Sequence, residues 1–433
     1  MYDVQVTHTR TLSPRLIARV VGGRLGNEAR PARDLVWDSR AVEPGAAFVA
    51  LPGSRSHGEA YAEEALGRGA AFVLGPVERT RGIQVDDPYD ALIALGRWLR
   101  TAFAGPVVAV SGSVGKTSTK EALARALDWP RTEGNLNTPP ALTRFFWHLD
   151  PDAEGAVVEL GVDRPGEMED LVTLSRPDLG VLTAIAPVHV EALGSLEGVA
   201  REKLRLLEAS ELRLAHEDLT GWPLPRGTLT YGFGDGADFR GELVEMDCEG
   251  SRLRYGGREL ALRLPGRGAA LAALAALAAT ELLGRDPGEA IERLAAQRPT
   301  PGRLEPLRRG GKLWLNDSYN ASPKALEAAL EVLARCPGRK GVVLGTMLEL
   351  GEEAERWHRW AARKVREVAN RALFVGEFAG AMAEGWPGAT AVADVEEAAR
   401  VLADWAGPLD VVLVKGSRAL GLERLLEEVA GAR

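Results

Sequence analysis

Cysteine is nearly absent from this chain. Cys248 and Cys336 are the only two in 433 residues, too few for a disulfide framework or a cysteine-built zinc cluster. Lysine is scarce as well: only eight of the 53 basic residues are lysine. Arginine is therefore the default cation, and a lysine inside a motif points to chemistry that a guanidinium does not perform. Lys116, Lys203 and Lys415 all occupy such places. Long apolar runs are missing. The longest low-polarity stretch, 268–279, falls well short of the ~20 residues of a bilayer span. Residues 1–19 lack the apolar core of a secretion signal, so a cytoplasmic location is expected. Positive charge is also in deficit. With a net charge of −8 and no basic stripe, no nucleic-acid partner is expected. An anionic substrate must then be held by backbone amides and a few well-placed cations.

What the chain does have is a phosphate cradle. Val107-Val108-Ala109-Val110-Ser111 reads as a buried parallel strand that breaks at Gly112, and helical sequence resumes near Lys120. Strand, glycine turn and helix start aim backbone N–H groups and the positive end of a helix dipole at an anion. Gly112, Ser113 and Gly115 supply the loop, Lys116 reaches the β/γ oxygens, and Thr117 and Ser118 open the helix, with the Thr117 hydroxyl offered to Mg²⁺. Val110 stands where the full motif has its first glycine, so this is a shortened Gly-x-x-Gly-Lys-Thr loop. ATP is the expected ligand.

Strands alternate with helices on both sides of this loop, which predicts an α/β protein of three domains. Residues 1–103 form a small α/β domain. Residues 104–300 form a central P-loop-type, parallel-sheet ATPase domain, with antiparallel hairpins expected over 238–264. Pro299-Thr300-Pro301-Gly302 is a linker. Residues 301–433 form a Rossmann-like domain without the Gly-x-Gly-x-x-Gly fingerprint, so dinucleotide binding is not expected.

Three further residues carry chemistry. Glu159 ends an apolar strand, where Mg²⁺ is commonly held beside a phosphate loop, although a solvent-exposed strand end reads the same way. His189 follows the next apolar strand, and a lone histidine is more often structural. Lys203 lies on a helix over 196–209 with apolar neighbours three and four residues away. It is either an ordinary amphipathic-helix lysine or a desolvated one whose neutral amine reacts with CO₂ to give a carbamate.

Several motifs in order resemble those of the Mur ligases, ATP-dependent amide-forming enzymes of peptidoglycan precursor synthesis. These are 111–121 (Ser-Gly-Ser-Val-Gly-Lys-Thr-Ser-Thr-Lys-Glu), Val157-Val-Glu-Leu-Gly161, the segment from His189 to Lys203, Asn316-Asp-Ser-Tyr-Asn-Ala-Ser-Pro323, and 344–352. Asp38-Ser-Arg40 and Phe48-Val-Ala-Leu-Pro-Gly53 resemble the family's uridine-nucleotide domain. Within the family the motifs are most similar to the ligases that join D-alanyl-D-alanine to UDP-N-acetylmuramoyl-tripeptide. The resemblance implies that these two small molecules and ATP are the substrates, that an acyl phosphate forms before the amine attacks, and that two Mg²⁺ ions take part. Lys116, Thr117 and Glu159 would serve one metal and the phosphates, and His189 with a carbamylated Lys203 the other. Arg303, Asp317 and Asn320 would contribute to the nucleotide site. Ser39, Arg40, Asn135, Asn137, Lys415 and Ser417 would contact the other substrates, with Met347, Leu348 and Leu350 as an apolar wall free of neighbouring basic residues. A monomer is expected.

The chain also departs from the family pattern. Where the adenine helix usually opens Gly-x-His-Asn-x-x-Asn-Ala, this sequence has Gly266-Arg-Gly-Ala-Ala-Leu-Ala-Ala273. The loop Thr132-Glu-Gly-Asn135-Leu-Asn137-Thr138 is shortened, and Thr346 replaces an aspartate. The sibling that adds a diamino acid as third residue usually carries Asp-Asn-Pro-Arg, which is absent here. A folylpolyglutamate synthetase would normally lack the Asp-Ser-Arg domain. A P-loop switch or motor would need a partner interface and a water-positioning residue.

Overall fold

The computed structural model describes residues 10–53, 56–187 and 190–431. The chain divides into two units, 1–120 with 128–228, and 121–127 with 229–433. The architecture is mixed α/β throughout.

The first unit contains two sheets. The N-terminal one has the order Arg24–Leu25, Gly82–Gln84, Phe72–Gly75, Ala46–Val49, Asp34–Val36, with only Arg24–Leu25 antiparallel. The edge strand Asp34–Val36 is short because a polar turn follows it. Asp38 accepts from the Arg40 N–H and turns the chain into a 3₁₀ segment at Ser39–Ala41. In the second sheet Val107–Ser111 lies between Ala156–Glu159 and Leu179–Leu182, and Leu212–His216 follows, all parallel. Every residue of the first three strands is buried, which explains why they read as unbroken apolar runs. Helix starts are equally local. Asp87 caps Pro88–Thr101 through the N–H groups of Tyr89 and Asp90, and Ser195 caps Leu196–Glu208 through Gly198.

One polar cluster joins the N-terminal sheet to the helix Pro139–His148. Asp34 accepts from Arg144 Nε and Nη2 at 2.8 and 2.7 Å and lies 2.7 Å from His148 Nε2. Burial alone would raise the Asp34 pKa, but the bonds from His148 and Arg144 outweigh it and hold the carboxyl at about 2. Because this lies below the ordinary 3.8, the stabilisation is complete above that value and is lost as the pH falls through about 2. Asp34→Asn leaves the Arg144 guanidinium partly buried against a neutral amide. It is expected to lower unfolding stability by about 2–3 kcal/mol, somewhat less than a fully buried pair, and to flatten the acid limb of a urea-unfolding series.

In the second unit Leu229–Gly232 pairs in parallel with Phe239–Met246, which continues into antiparallel Ser251–Tyr255 and Arg258–Leu262. The hairpins expected over 238–264 are therefore present. The last sheet has the order Glu305–Arg309, Lys312–Asp317, Val411–Lys415, Lys340–Gly345, Arg371–Val375, Ala389–Val392. Only Glu305–Arg309 is antiparallel. The two outer strands have mostly half-exposed residues and lack the apolar run that marks the inner four. No described helix is long and apolar enough to cross a membrane.

Candidate active site

The loop after Val107–Ser111 is braced from the neighbouring strand end. Gly112 has φ +147°, and a Cβ there would sit 2.1 Å from Thr183 Oγ1, so no side chain fits. Thr183 Oγ1 donates to Val114 O at 2.6 Å, and its N–H donates to Ser111 O. Ser113 is committed to the same bracing. Its N–H donates to Ala184 O, and its hydroxyl donates to Ala186 O at 3.0 Å and accepts from Ala186 N–H at 2.9 Å. Ser113 therefore shapes the loop with the groups that the sequence pattern assigns to nucleotide. Lys116 begins the helix Lys116–Leu127 and folds back to donate to Gly112 O at 2.8 Å. Thr117 is buried at the same helix start.

Glu159 is not a solvent-exposed strand end: it is 2% exposed. Its N–H donates to Thr132 Oγ1, and its Oε1 accepts from Asn137 Nδ2, both at 3.0 Å. Oε2 is buried and accepts no hydrogen bond among the described residues. That oxygen, which faces the Lys120 ammonium at 3.8 Å without a hydrogen bond, and the Thr117 hydroxyl are hard oxygen donors that fit Mg²⁺, which keeps several waters and phosphate oxygens of its own. Among the described residues no group of three or more His, Cys, Asp or Glu gathers as a closed metal cage. His189 lies outside the described residues. Asn137 is held closely, since its carbonyl accepts from Gly161 N–H and a Cβ at Gly161 would meet its side chain at 2.4 Å. Asn135 is exposed on the same loop.

Lys203 is 1% exposed on Leu196–Glu208, which removes the amphipathic-surface reading. Burial, then repulsion from Lys116, brings its pKa down to about 7 against the opposing pull of Asp163 and Glu202. The field of Lys116 at Lys203 places the phosphate loop and this helix in one electrostatic site.

Ser39 and Arg40 lie in the polar 3₁₀ turn that follows Asp38. Ser39 is buried and donates to Glu64 Oε2 at 3.1 Å. Arg40 is exposed and grips Asp38 at 2.9 and 2.7 Å.

In the second unit Lys415 is buried and pairs with Asp317, its register partner on the adjacent strand, and it donates to Asn320 O at 3.0 Å. The guanidinium of Arg303 stacks 3.9 Å from the Tyr319 ring, and that of Arg418 lies 5.7 Å from the same ring. Ser417 accepts from Leu348 N–H at 2.9 Å and donates its own N–H to Thr346 O. Two features of the expected acceptor wall need correction. Met347 is a core residue, 1% exposed, leaving Leu348 (49% exposed) and half-buried Leu350. Basic residues do stand beside this turn, because Ser417 brings Lys415 and Arg418 to it. The turn is pinned by His358, a residue that no sequence motif marks. It is wholly buried, accepts from Met347 N–H at 2.9 Å and stacks on Phe378 at 4.2 Å. Burial lowers its pKa, which favours the neutral ring needed to accept that bond. Ala269 and Ala272 stand where the family's adenine asparagines would fall, and at the start of the same helix Arg267 lies over the Phe233 ring at 4.8 Å.

Models of three Mur ligase domains match the chain in order: the Mur ligase family catalytic domain at 34–92, the middle domain at 110–280 and the glutamate ligase domain at 302–418. The UDP-N-acetylmuramoyl-tripeptide–D-alanyl-D-alanine ligase of Bacillus subtilis (strain 168) is 30% identical over 95% of this chain and 97% of its own length. A UDP-N-acetylmuramoyl-L-alanyl-D-glutamate–2,6-diaminopimelate ligase of Alkalilimnicola ehrlichii is 32% identical over 89% of this chain and 90% of its own. Among solved structures, MurF from Acinetobacter baumannii superposes with a TM-score of 0.88 at 25% identity, covering 98% of this chain and 99% of that one. MurF from Thermotoga maritima in complex with ADP gives 0.80 at 30% identity, covering 93% and 97%. With the braced phosphate loop, the buried carboxylate and three domain matches in one order, the chain belongs to the Mur ligase family.

Proposed function

We propose that this chain is an ATP-dependent ligase that joins D-alanyl-D-alanine to UDP-N-acetylmuramoyl-tripeptide, releasing ADP and phosphate in peptidoglycan precursor synthesis. The observation that carries the reading is similarity along nearly the whole chain to ligases of that name, combined with a phosphate loop beside a buried carboxylate and a buried lysine. Residues 1–103 bind the uridine nucleotide through the segment of Ser39 and Arg40, 104–300 bind ATP, and 301–433 select the amine. Lys116 and the amides around Gly115 hold phosphate. Thr117 and Glu159 hold a Mg²⁺ ion, which neutralises phosphate oxygens that would otherwise repel the anionic nucleophile. Lys203 carries a carbamate and, with His189, serves a second ion. Its burial and lowered pKa support this, because the neutral amine is the form that adds CO₂.

A diaminopimelate ligase is the second reading, favoured by the Alkalilimnicola relative and by the basic residues beside the 346–350 turn. One experiment separates them. Phosphate release is measured with ATP, each UDP precursor and each amine, omitting components in turn. The expected result is turnover that requires tripeptide precursor and D-alanyl-D-alanine together, with diaminopimelate on the dipeptide precursor at least about tenfold slower, since a site's mispaired polar groups cost a factor of ten or more. Faster turnover of diaminopimelate reverses the assignment within the family.

A further inference from the structure

Lys120 plays no part in the motif's phosphate chemistry, yet it is wholly buried (0% exposed) at the centre of the site. It lies one helical turn beyond Lys116 on Lys116–Leu127. Its Nζ donates to Gly134 O at 2.8 Å and stands 3.8 Å from Glu159 Oε2, the oxygen with no hydrogen bond among the described residues. A buried ammonium is costly unless its charge and its protons are matched. Here the matching groups are the carboxylate of one strand and a carbonyl in the middle of the 132–138 loop. Asn137, three residues past that carbonyl, closes the circuit by donating to Glu159 Oε1.

We propose that Lys120 is a positioning residue that fixes the 132–138 loop, and with it Asn135 and Asn137, against Glu159, so that the loop is shaped for the uridine-linked peptide before that substrate arrives. This rests on the ligase reading above. A lysine suits the task because its single ammonium serves a carbonyl and a carboxylate in different directions on a stem narrow enough for the interior. The charge also keeps Glu159 from standing as an unbalanced buried anion when no metal is bound. Methionine matches the stem and removes the head group. Arginine keeps the charge but is too broad for the same space.

The test is a double-mutant cycle of Lys120→Met and Asn137→Ala, read by calorimetry. UDP-N-acetylmuramoyl-tripeptide is titrated without nucleotide, and ADP separately in the presence of chelator. Losing a buried charge-assisted hydrogen bond corresponds to roughly ten- to a hundredfold in affinity. Lys120→Met is expected to weaken the uridine substrate by about tenfold or more and ADP by less than about threefold. The double variant should be no more than about twofold worse than the weaker single one, because both act through one loop. Lys120→Arg should fall between parent and Lys120→Met, and it takes the place of Lys120→Met in the cycle if the methionine variant does not fold. Multiplicative effects, or parent-like affinity for the uridine substrate, overturn the proposal. A parent protein that does not bind the uridine substrate at all overturns the ligase reading instead.

Discussion

Lys116→Ala is expected to lower substrate-dependent phosphate release by about 10²–10³-fold, the usual cost of removing one preorganised contact to developing charge. The loop should survive the change. Its shape is set by Thr183 bonded to Val114 and by Ser113 bonded to residues 184 and 186, none of which depends on the Lys116 amine that bonds Gly112 O. The melting temperature should therefore stay within a few degrees while turnover collapses. Activity within a few-fold of the parent would remove the phosphate assignment. Loss of activity together with loss of fold would give Lys116 a structural role in place of a chemical one.

Lys203→Ala and Lys203→Arg should both be inactive, by about 10²-fold or more, if the lysine carries a metal-binding carbamate. The alanine variant leaves room for a small carboxylate, so acetate or formate at high concentration should restore part of its turnover. The arginine variant fills the space with a group that does not add CO₂, and it should not be rescued. A direct readout accompanies the kinetics: protein equilibrated with ¹³C-bicarbonate should show a carbamate carbon resonance that both variants lack. An active arginine variant would reduce Lys203 to a buried cation placed near Lys116 for charge alone.

Much of the scaffold was legible because its signals are local. Unbroken apolar runs marked the inner strands, and the helix starts rest on equally local groups, with Asp87, Asp286 and Ser322 capping the helices that begin at Pro88, Pro287 and Pro323. Glu159 was legible as a carboxylate at a strand end, but its burial was not, because that depends on Asn137 and Thr132 arriving from a loop more than twenty residues earlier. Asp34 with Arg144 and His148, Lys415 with Asp317, and His358 with Met347 escaped for the same reason. Each pairs groups that the chain brings together only by folding. Arg40 shows a pairing that is local in sequence: the cation beside the Ser39 hydroxyl is held by its nearest acid, Asp38, two residues away. Lys120 lay inside a quoted motif, and in a chain so poor in lysine its recurrence four residues after Lys116 was itself the available signal.

The scarcity of lysine also governs how the folded protein meets reagents. Lys120, Lys203 and Lys415 are at most 1% exposed, so an acylating reagent that seeks amines does not reach them while the fold holds. The remaining side-chain amines are Lys116, half-buried in the phosphate loop, and Lys312, Lys324, Lys340 and Lys364, all beyond residue 311. A peptide map of mildly acylated protein then holds one modified lysine from the first 300 residues, at the phosphate loop. Nucleotide occupancy becomes readable as protection of a single peptide, with the four C-terminal amines serving as the internal measure of dose.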